Sequence, residues 1–237
     1  MSADVKSNLQ IINDKIRQVE KKSGRAEGSV KLMAVSKFHP AEDVIAAINE
    51  GQLLFGENRV QEAGEKFPAI FEQFPSAELH MIGSLQSNKV KNAVKIASCI
   101  ESVDRISLMD EIEKQCAKIE KTISVFFEVH TGEESKSGFE SEEEVEKVLS
   151  LCAQGKYPHI IPRGFMTMAP FTEDKTLVRK SFVTLRELSE RMKAKFPQFD
   201  MPELSMGMSG DFEIAIEEGS TLVRVGTAIF GERDYSK

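Results

Sequence analysis

The stretch VKLMAVSKFHPAEDVIAAINEGQLLFG (Val30–Gly56) reads as a strand, a helix and a second strand. Its first part, Val30–Ser36, is short, mostly apolar and rich in strand formers. Pro40 and Gly51 stand where the following helix is expected to begin and end. Two apolar strands joined by a helix are typical of a parallel sheet covered by helices. This unit therefore indicates an α/β fold.

The same alternation continues along the rest of the chain. After the strands Val30–Ser36 and Gln52–Gly56, we predict six more, at Leu79–Gly83, Ser98–Ser102, Ile123–Val129, His159–Met168, Glu203–Met208 and Ser220–Gly226. Apolar residues at spacings of three and four over residues 5–22 predict an additional N-terminal helix. Eight such units in about 200–250 residues favour a closed (β/α)8 TIM barrel. An open doubly wound sheet is the alternative, although no GxGxxG motif follows the first strand.

Local signals predict where several of the intervening helices begin and end. Pro68 predicts a break or kink in a helix over Arg59–Phe74. A further helix is expected over Arg105–Lys121. Ser141, with Glu144 three residues later, predicts a capping box. A long helix is expected to begin at Thr172 or Asp174.

Composition and charge narrow the class of protein. The chain has 237 residues, 41% of them hydrophobic, and a formal net charge of −7. The acidic balance argues against nucleic-acid and anionic-membrane partners. The apolar runs are far shorter than the roughly 20 residues of a membrane span, and the polar N-terminus does not resemble a signal peptide.

Cysteine usage and the uniform composition bear on the cellular compartment and on the number of domains. Cys99, Cys116 and Cys152 form no CxxC pair, so they indicate neither a metal site nor a disulfide framework. No linker-like segment divides the chain. We therefore expect one domain over residues 1–237, in a reduced, cytoplasmic protein. The absence of a heptad pattern makes a monomer the expected state.

A lysine follows the first predicted strand directly. In a barrel, the carboxyl ends of the strands and the loops after them form the active face. Lys37 lies at such an end, after four apolar residues. A lysine in a partly desolvated site loses basicity and can form a Schiff base with a carbonyl. The alternative is a lysine that snorkels at the rim.

The loops after the seventh and eighth strands have the composition of a phosphate site. Ser209-Gly210-Asp211 and Gly226-Thr227 supply small hydroxyl residues and glycines, and barrels frequently bind phosphate at these two loops. Ordinary helix caps and turns are the alternative. Arg224 lies inside the eighth strand, and the sequence leaves open whether it points inward. An amine at one loop and a phosphate site at others suggest pyridoxal 5′-phosphate, which carries an aldehyde and a phosphate.

Eight motifs in order along nearly the whole chain resemble those of the pyridoxal phosphate homeostasis proteins, a family with an alanine-racemase-like barrel. They are AVSKFHP (34–40), FGENRVQE (55–62), HMIGSLQSNK (80–89), SVDR (102–105), SKSGF (135–139), RGFM (163–166), LSMGMSGDFEIAI (204–216) and VRVGTAIFGERDY (223–235). Two positions depart from the family pattern: Leu79 stands where an aromatic residue is common, and Ser84 where proline is common.

The resemblance implies a (β/α)8 barrel that binds pyridoxal 5′-phosphate. The cofactor-binding residues that it implies are Lys37 for an internal aldimine, Asn58 and Met206 beside the ring, Arg224 at the pyridine nitrogen, and Ser209, Gly226 and Thr227 at the phosphate. It implies a protein that carries and buffers the cofactor, maintains vitamin B6 homeostasis, and is suited to delivering the cofactor to apoenzymes. It implies no metal and assigns no catalytic residue.

The alternative function is a pyridoxal-phosphate-dependent amino-acid racemase. Two-base racemisation needs groups on both faces of the substrate Cα. In the related racemases a tyrosine from a second, β-rich domain supplies one of them, and we expect no such domain here. Tyr157 precedes the sixth strand, at the opposite end of the barrel, and Tyr235 lies near the terminus. An arginine at the ring nitrogen makes the cofactor a poorer electron sink, which disfavours transamination-like chemistry but does not forbid racemisation, because the related racemases share this arginine. A pure scaffold protein would leave Lys37 and both phosphate-type loops unexplained.

Overall fold

The structure, a computed structural model, describes residues 4–132 and 137–232. Within these residues, parallel strands close into a barrel in which each strand pairs with the next in chain order and the last pairs with the first. The strands are β1 Lys31–Val35, β2 Leu54–Glu57, β3 Glu78–Met81, β4 Cys99–Val103, β5 Ile123–Glu128, β6 Ile160–Met166, β7 Glu203–Met208 and β8 Leu222–Val225. The predicted (β/α)8 TIM barrel is confirmed, and the open sheet is excluded.

Helices follow the strands and cover the outside of the barrel. They are α1 Val5–Lys22, α2 Ala41–Asn49, α3 Val60–Gln73, α4 Val90–Ile96 after a 3-10 turn at Ser87–Lys89, α5 Ile106–Ala117, α6 Glu142–Ala153, α7 Lys175–Lys195, α8 Phe212–Glu217 and α9 Thr227–Phe230. The predicted N-terminal helix is α1, which packs against α2, α8 and α9. Among the described residues, no helix combines the length and apolarity that crossing a bilayer requires.

The helices differ from the sequence expectation at three places. Pro68 lies inside a continuous α3. It is exposed, so water can reach the backbone carbonyl that its missing N–H leaves unpaired. The helix α5 ends at Ala117, because Glu120 adopts a positive φ of 51° and Lys121 instead donates to the carbonyls of Val94 and Ala97 at 2.7 Å. The one-turn helix α9 after β8 was not predicted.

Two of the predicted caps can be compared directly with the structure. The Ser141 hydroxyl accepts a hydrogen bond from the Glu144 N–H at 3.3 Å. The Glu144 carboxylate accepts from the N–H of Glu140, one residue before the position that a standard capping box uses. The long helix α7 is capped by Asp174, whose carboxylate accepts from the Thr176 N–H at 2.8 Å. Of the two predicted start signals, the later one is therefore used.

The apolar residues form two separate regions. The larger lies between the strands and the helices and includes Phe55, Phe67, Phe127, Phe165 and Phe182. The smaller lies inside the barrel and consists of Met33, Cys99, Phe126, Met166 and Leu222. Buried polar side chains from β3, β4, β7 and β8 contact one another across the barrel, namely His80, Glu101, Ser205 and Arg224. The barrel interior is therefore part apolar and part polar.

Candidate functional site

The strand register brings the Lys37 loop and the Gly226-Thr227 loop together. Ala34 pairs with Val225 across β1 and β8, so the residues that follow them leave the barrel side by side. Gly226 is buried, and a Cβ built there would lie 3.1 Å from the backbone oxygen of Val35. The absence of a side chain at Gly226 thus lets β8 approach the end of β1 closely.

Lys37 is half-buried in a tight turn over residues 36–38, here called the Lys37 turn. Phe38 has a φ of 65°, a left-handed conformation that costs free energy for a bulky side chain. The turn is held at two points. The Phe38 N–H donates to Glu62 Oε1 at 2.6 Å, and the Ser36 carbonyl accepts from Lys66 Nζ at 2.9 Å.

A buried ionic cluster lies behind the Lys37 turn. Lys66 Nζ lies 2.8 Å from Glu57 Oε1 and 3.1 Å from Glu62 Oε1, and the Ser36 hydroxyl donates to Glu57 Oε1 at 2.7 Å. Glu57 is fully buried, and its second oxygen has no hydrogen-bond partner. Burial raises the pKa of Glu57, and the nearby Lys66 charge opposes that rise. We call Ser36, Glu57, Glu62 and Lys66 the Lys66 cluster.

Sequence reasoning did not single out the Lys66 cluster. Two signals for it were present. Glu62 and Lys66 are four residues apart, which places them on the same face of α3. Glu57 is a carboxylate at the end of an otherwise apolar strand. Neither signal alone showed that the charges are buried, because that depends on the packing of α3 against β2.

Arg224 points into the barrel, which settles the question that the sequence left open. One of its terminal nitrogens lies 2.7 Å from the Ser205 carbonyl oxygen and 2.6 Å from the Ser205 hydroxyl. The other donates to the Thr167 carbonyl at 2.7 Å. Burial lowers the pKa of Arg224, and the charges of Glu101, Asp211 and Glu128 oppose this. The guanidinium is thus a fixed cation inside the barrel.

A chain of hydrogen bonds continues from Arg224 across the interior. The Ser205 hydroxyl donates to Glu101 Oε2 at 2.6 Å, and Glu101 Oε1 lies 2.7 Å from His80 Nδ1. We call Arg224, Ser205, Glu101 and His80 the interior chain. Glu101 compensates the buried arginine charge. The sequence signal that was missed is a glutamate within the apolar strand β4.

Two residues expected beside the cofactor ring lie in different surroundings. Asn58 is half-buried directly after β2, and a Cβ on Gly83 would lie only 2.6 Å from the Asn58 carbonyl oxygen. The β3 loop therefore packs closely on Asn58. Met206 is fully buried in the apolar region between strands and helices, whereas its neighbour Ser205 faces the interior. The structure thus does not bring the Met206 side chain together with Arg224.

The expected phosphate residues form an open edge at the carboxyl ends of β7 and β8. Ser209, Gly210 and Thr227 are exposed, and a Cβ on Gly210 would meet no atom within 4 Å. Met208 is in register with Arg224, so the two loops leave neighbouring strands. Asp211 Oδ1 accepts from the Met208 N–H at 2.5 Å and fixes the first of these loops.

Other predicted features are placed less centrally. Leu79 is fully buried in the apolar region outside the barrel strands, and Ser84 is exposed on the loop after β3. Tyr157 is buried before β6 and hydrogen-bonds Asp110 at 3.0 Å, far from the carboxyl ends of the strands. Residues 135 and 136 of the SKSGF motif and residues 233–235 of the last motif lie outside the described residues.

Comparison with known protein families and structures identifies the class of protein to which this barrel belongs. A family model described as the alanine racemase N-terminal domain matches residues 7–234. The chain belongs to that family.

Within this class, the chain belongs to the pyridoxal phosphate homeostasis proteins. It is 41% identical over 231 residues to the pyridoxal phosphate homeostasis protein of Aquifex aeolicus, with 96% of this chain and 97% of the relative covered. The structure of PipY from Synechococcus elongatus with pyridoxal phosphate bound is 32% identical, with a TM-score of 0.79 and coverage of 92% of this chain and 100% of PipY.

Alanine racemases share the fold at much lower identity. The enzyme from Streptomyces coelicolor is 15% identical, with a TM-score of 0.70 and coverage of 93% of this chain and 58% of the racemase. This similarity establishes a common barrel.

Proposed function

We propose that the chain binds pyridoxal 5′-phosphate through Lys37 and carries and buffers it, without appreciable racemase activity. The observation that carries the proposal is the convergence of three features at one end of the barrel. The Lys37 turn and the Gly226-Thr227 loop leave adjacent strands, and the Arg224 guanidinium is buried inside the barrel two residues before that loop. The name of the curated relatives and the PipY complex support the same cofactor.

The residues present fit the chemical groups of this cofactor. Ser209 and Thr227 offer exposed hydroxyls, and Gly210 leaves open space beside them. These are the donors and the room that a phosphate requires. Arg224 offers a buried, permanently charged donor for a ring nitrogen. Lys37 is the primary amine at the mouth, by which we mean the carboxyl ends of the strands and their loops.

The role of each residue follows from its contacts. When bound, the cofactor supplies an aldehyde, which condenses with a primary amine and releases one water. Lys37 provides that amine, and the Lys66 cluster fixes the turn that carries it. Arg224 stays protonated and can only donate hydrogen bonds, so a ring nitrogen held against it would remain unprotonated and would withdraw electrons weakly. Ser205 and Glu101 hold Arg224 in place.

Carrying and delivery suit a site with an open edge. The exposed hydroxyls of Ser209 and Thr227 leave the phosphate end accessible from solvent. We propose that apoenzymes receive the cofactor from this side. The reactive aldehyde is meanwhile kept on Lys37, where it cannot modify other amines in the cell.

The phosphate loops give a prediction about cofactor retention. Combining Ser209→Ala with Thr227→Val is expected to weaken binding of pyridoxal 5′-phosphate, because each lost hydrogen bond to a charged group is worth about 1.5–3 kcal/mol. Equilibrium dialysis of wild type and double variant measures the change. Pyridoxal, which lacks the phosphate, is the matched control and should bind both proteins equally. An equal loss of pyridoxal affinity would mean that the two residues act through fold stability.

The proposal also predicts an absence of racemisation. Among the described residues, no tyrosine lies near Lys37, because Tyr157 is at the opposite end of the barrel. Proton removal at Cα would depend on Lys37 alone, so we expect slow solvent deuterium exchange with retained L-configuration. Chiral chromatography of L-alanine incubations is the measurement. Formation of the D-enantiomer at about 1 s⁻¹, within the usual range of enzyme turnover, would favour the racemase alternative.

A further inference from the structure

A cavity lies at the end of the barrel opposite to the mouth, at the amino ends of the strands. It has a volume of about 350 Å³, and we call it the lower cavity. Its polar lining includes Lys31, Glu78, His80, Arg163 and Glu203. These residues come from β1, β3, β6 and β7 and are separate from the loops that form the mouth.

The lower cavity exists because small residues stand where a barrel usually has large ones. Ser98, Cys99 and Ser124 line one side of it. TIM barrels normally fill this volume with layers of bulky side chains. A cavity of about 300 Å³ or more is large enough for a small-molecule ligand.

One wall of the lower cavity carries an excess of positive charge. Arg163 and Lys31 both approach the same oxygen of Glu203, at 3.1 Å and 3.6 Å. Two cations therefore share one carboxylate. Both cationic side chains are partly exposed, at 38% and 62%, so they can adjust to a bound anion.

The wall opposite carries negative charge. Glu78 begins β3, and β3 and β7 are four strands apart in the closed barrel, so Glu78 and Glu203 stand on facing sides. The Cys99 thiol also lines the lower cavity. Burial raises its pKa well above the ordinary value, the charges of Glu101, Glu203 and Glu78 add to the rise, and that of Arg163 opposes it. The charges therefore act on the same interior space.

The inner end of the lower cavity is apolar. Phe126 is buried there, and the centroids of the Phe126 and His80 rings are 6.4 Å apart. Leu54 also lines this part of the cavity. Cys99 is a neutral thiol at ordinary pH because its pKa is raised, and it behaves as a small apolar group. A ligand can thus bury an apolar side chain here while its charged groups stay at the rim.

We propose that the lower cavity binds a free α-amino acid with an apolar side chain. Its carboxylate contacts Arg163 and Lys31, its ammonium faces Glu78, and its side chain lies over Phe126. A simple anion would meet two glutamates and a simple cation would meet two basic side chains, whereas a zwitterion matches both walls. This proposal does not depend on the function proposed for the mouth.

The test uses calorimetric titration of the holo-protein after borohydride reduction, so that amino acids cannot react with the cofactor aldehyde. L-Leucine is the probe, and 4-methylpentanoate and 3-methylbutylamine are its matched halves, lacking the ammonium and the carboxylate. We expect L-leucine to bind and each half to bind at least about tenfold more weakly. No binding of L-leucine, or equal binding of either half, would overturn the proposal.

Variants at the two walls test the assignment of contacts. Glu78→Gln and Arg163→Gln should each weaken L-leucine binding by at least about tenfold. Glu72→Gln and Lys91→Gln remove exposed charges outside the lower cavity and should leave binding unchanged. Arg163→Lys keeps the charge and should retain most of the affinity, which covers the case in which Arg163→Gln does not fold. Unchanged binding in Glu78→Gln would contradict the proposed orientation. If the function proposed for the mouth were wrong, the protein would instead fail to retain pyridoxal 5′-phosphate.

Discussion

Replacing Lys37 with alanine should abolish covalent attachment of pyridoxal 5′-phosphate and leave the fold intact. Only a primary amine can form the linkage, and Lys37 is the amine at the end of β1, beside the Gly226-Thr227 loop. We expect the wild-type protein to remain yellow after gel filtration and the Lys37→Ala variant to be colourless. Since Lys37 is a half-buried turn residue, the free energy of unfolding should change by no more than about 1 kcal/mol.

The matched control removes a different lysine near the same end of the barrel. Lys89 ends the short 3-10 turn after β3 and is exposed. Lys89→Ala should stay yellow, with the same melting temperature as wild type. If Lys37→Ala kept the absorbance and Lys89→Ala lost it, the cofactor would be attached at the other loop and the account of the site would be wrong.

Replacing Lys66 with methionine should destabilise the protein strongly. The change leaves Glu57 buried without its cation, and breaking a buried ion pair from one side typically costs about 3–5 kcal/mol. For a chain of this size, each kcal/mol lowers the melting temperature by about 2–4 °C, so we expect a fall of roughly 6–20 °C. Calorimetry of the apo-protein measures it. Lys91→Met, an exposed position on α4, should have little effect.

A second substitution tests the reason for that loss. Adding Glu57→Leu to Lys66→Met removes the uncompensated charge, and apolar replacement of a buried pair is often close to neutral. The double variant should therefore recover part of the lost stability. Without Lys66, the Ser36 carbonyl also loses the hydrogen bond that helps to hold the Lys37 turn. Cofactor attachment to Lys37 should therefore slow in both variants. A Lys66→Met protein as stable as wild type, or a double variant that melts still lower, would contradict this role.

The fold was predictable because its signals are local and repeated. Each strand is a short apolar run bounded by turn residues, and each helix buries an apolar face, so the barrel follows from eight repeats of one unit. Boundaries were less predictable. The end of α5 depends on Lys121 reaching carbonyls of α4, a contact between two elements that no single segment encodes.

The chemistry at the mouth was partly predictable, because position after a strand suffices to place Lys37, Ser209 and Thr227 at one end. Whether a strand side chain points into or out of the barrel was not predictable. Strands of a parallel barrel are buried on both faces, so they lack the alternation that would show which residues point inward. The direction of Arg224 was therefore left undecided, and the sequence did not show that the Met206 side chain packs outside the barrel strands. The Lys66 cluster and the interior chain join distant strands and helices, so they needed the fold itself.

The central claim, that the cofactor is held covalently on Lys37, is tested most directly by borohydride reduction and peptide mapping. Reduction converts the carbon–nitrogen double bond to a stable single bond, after which the protein is digested and its peptides are weighed by mass spectrometry. The account predicts one pyridoxyl adduct, on the peptide that contains Lys37. An adduct on the peptide of Lys89 or Lys136 instead, with the Lys37 peptide unmodified, would contradict it.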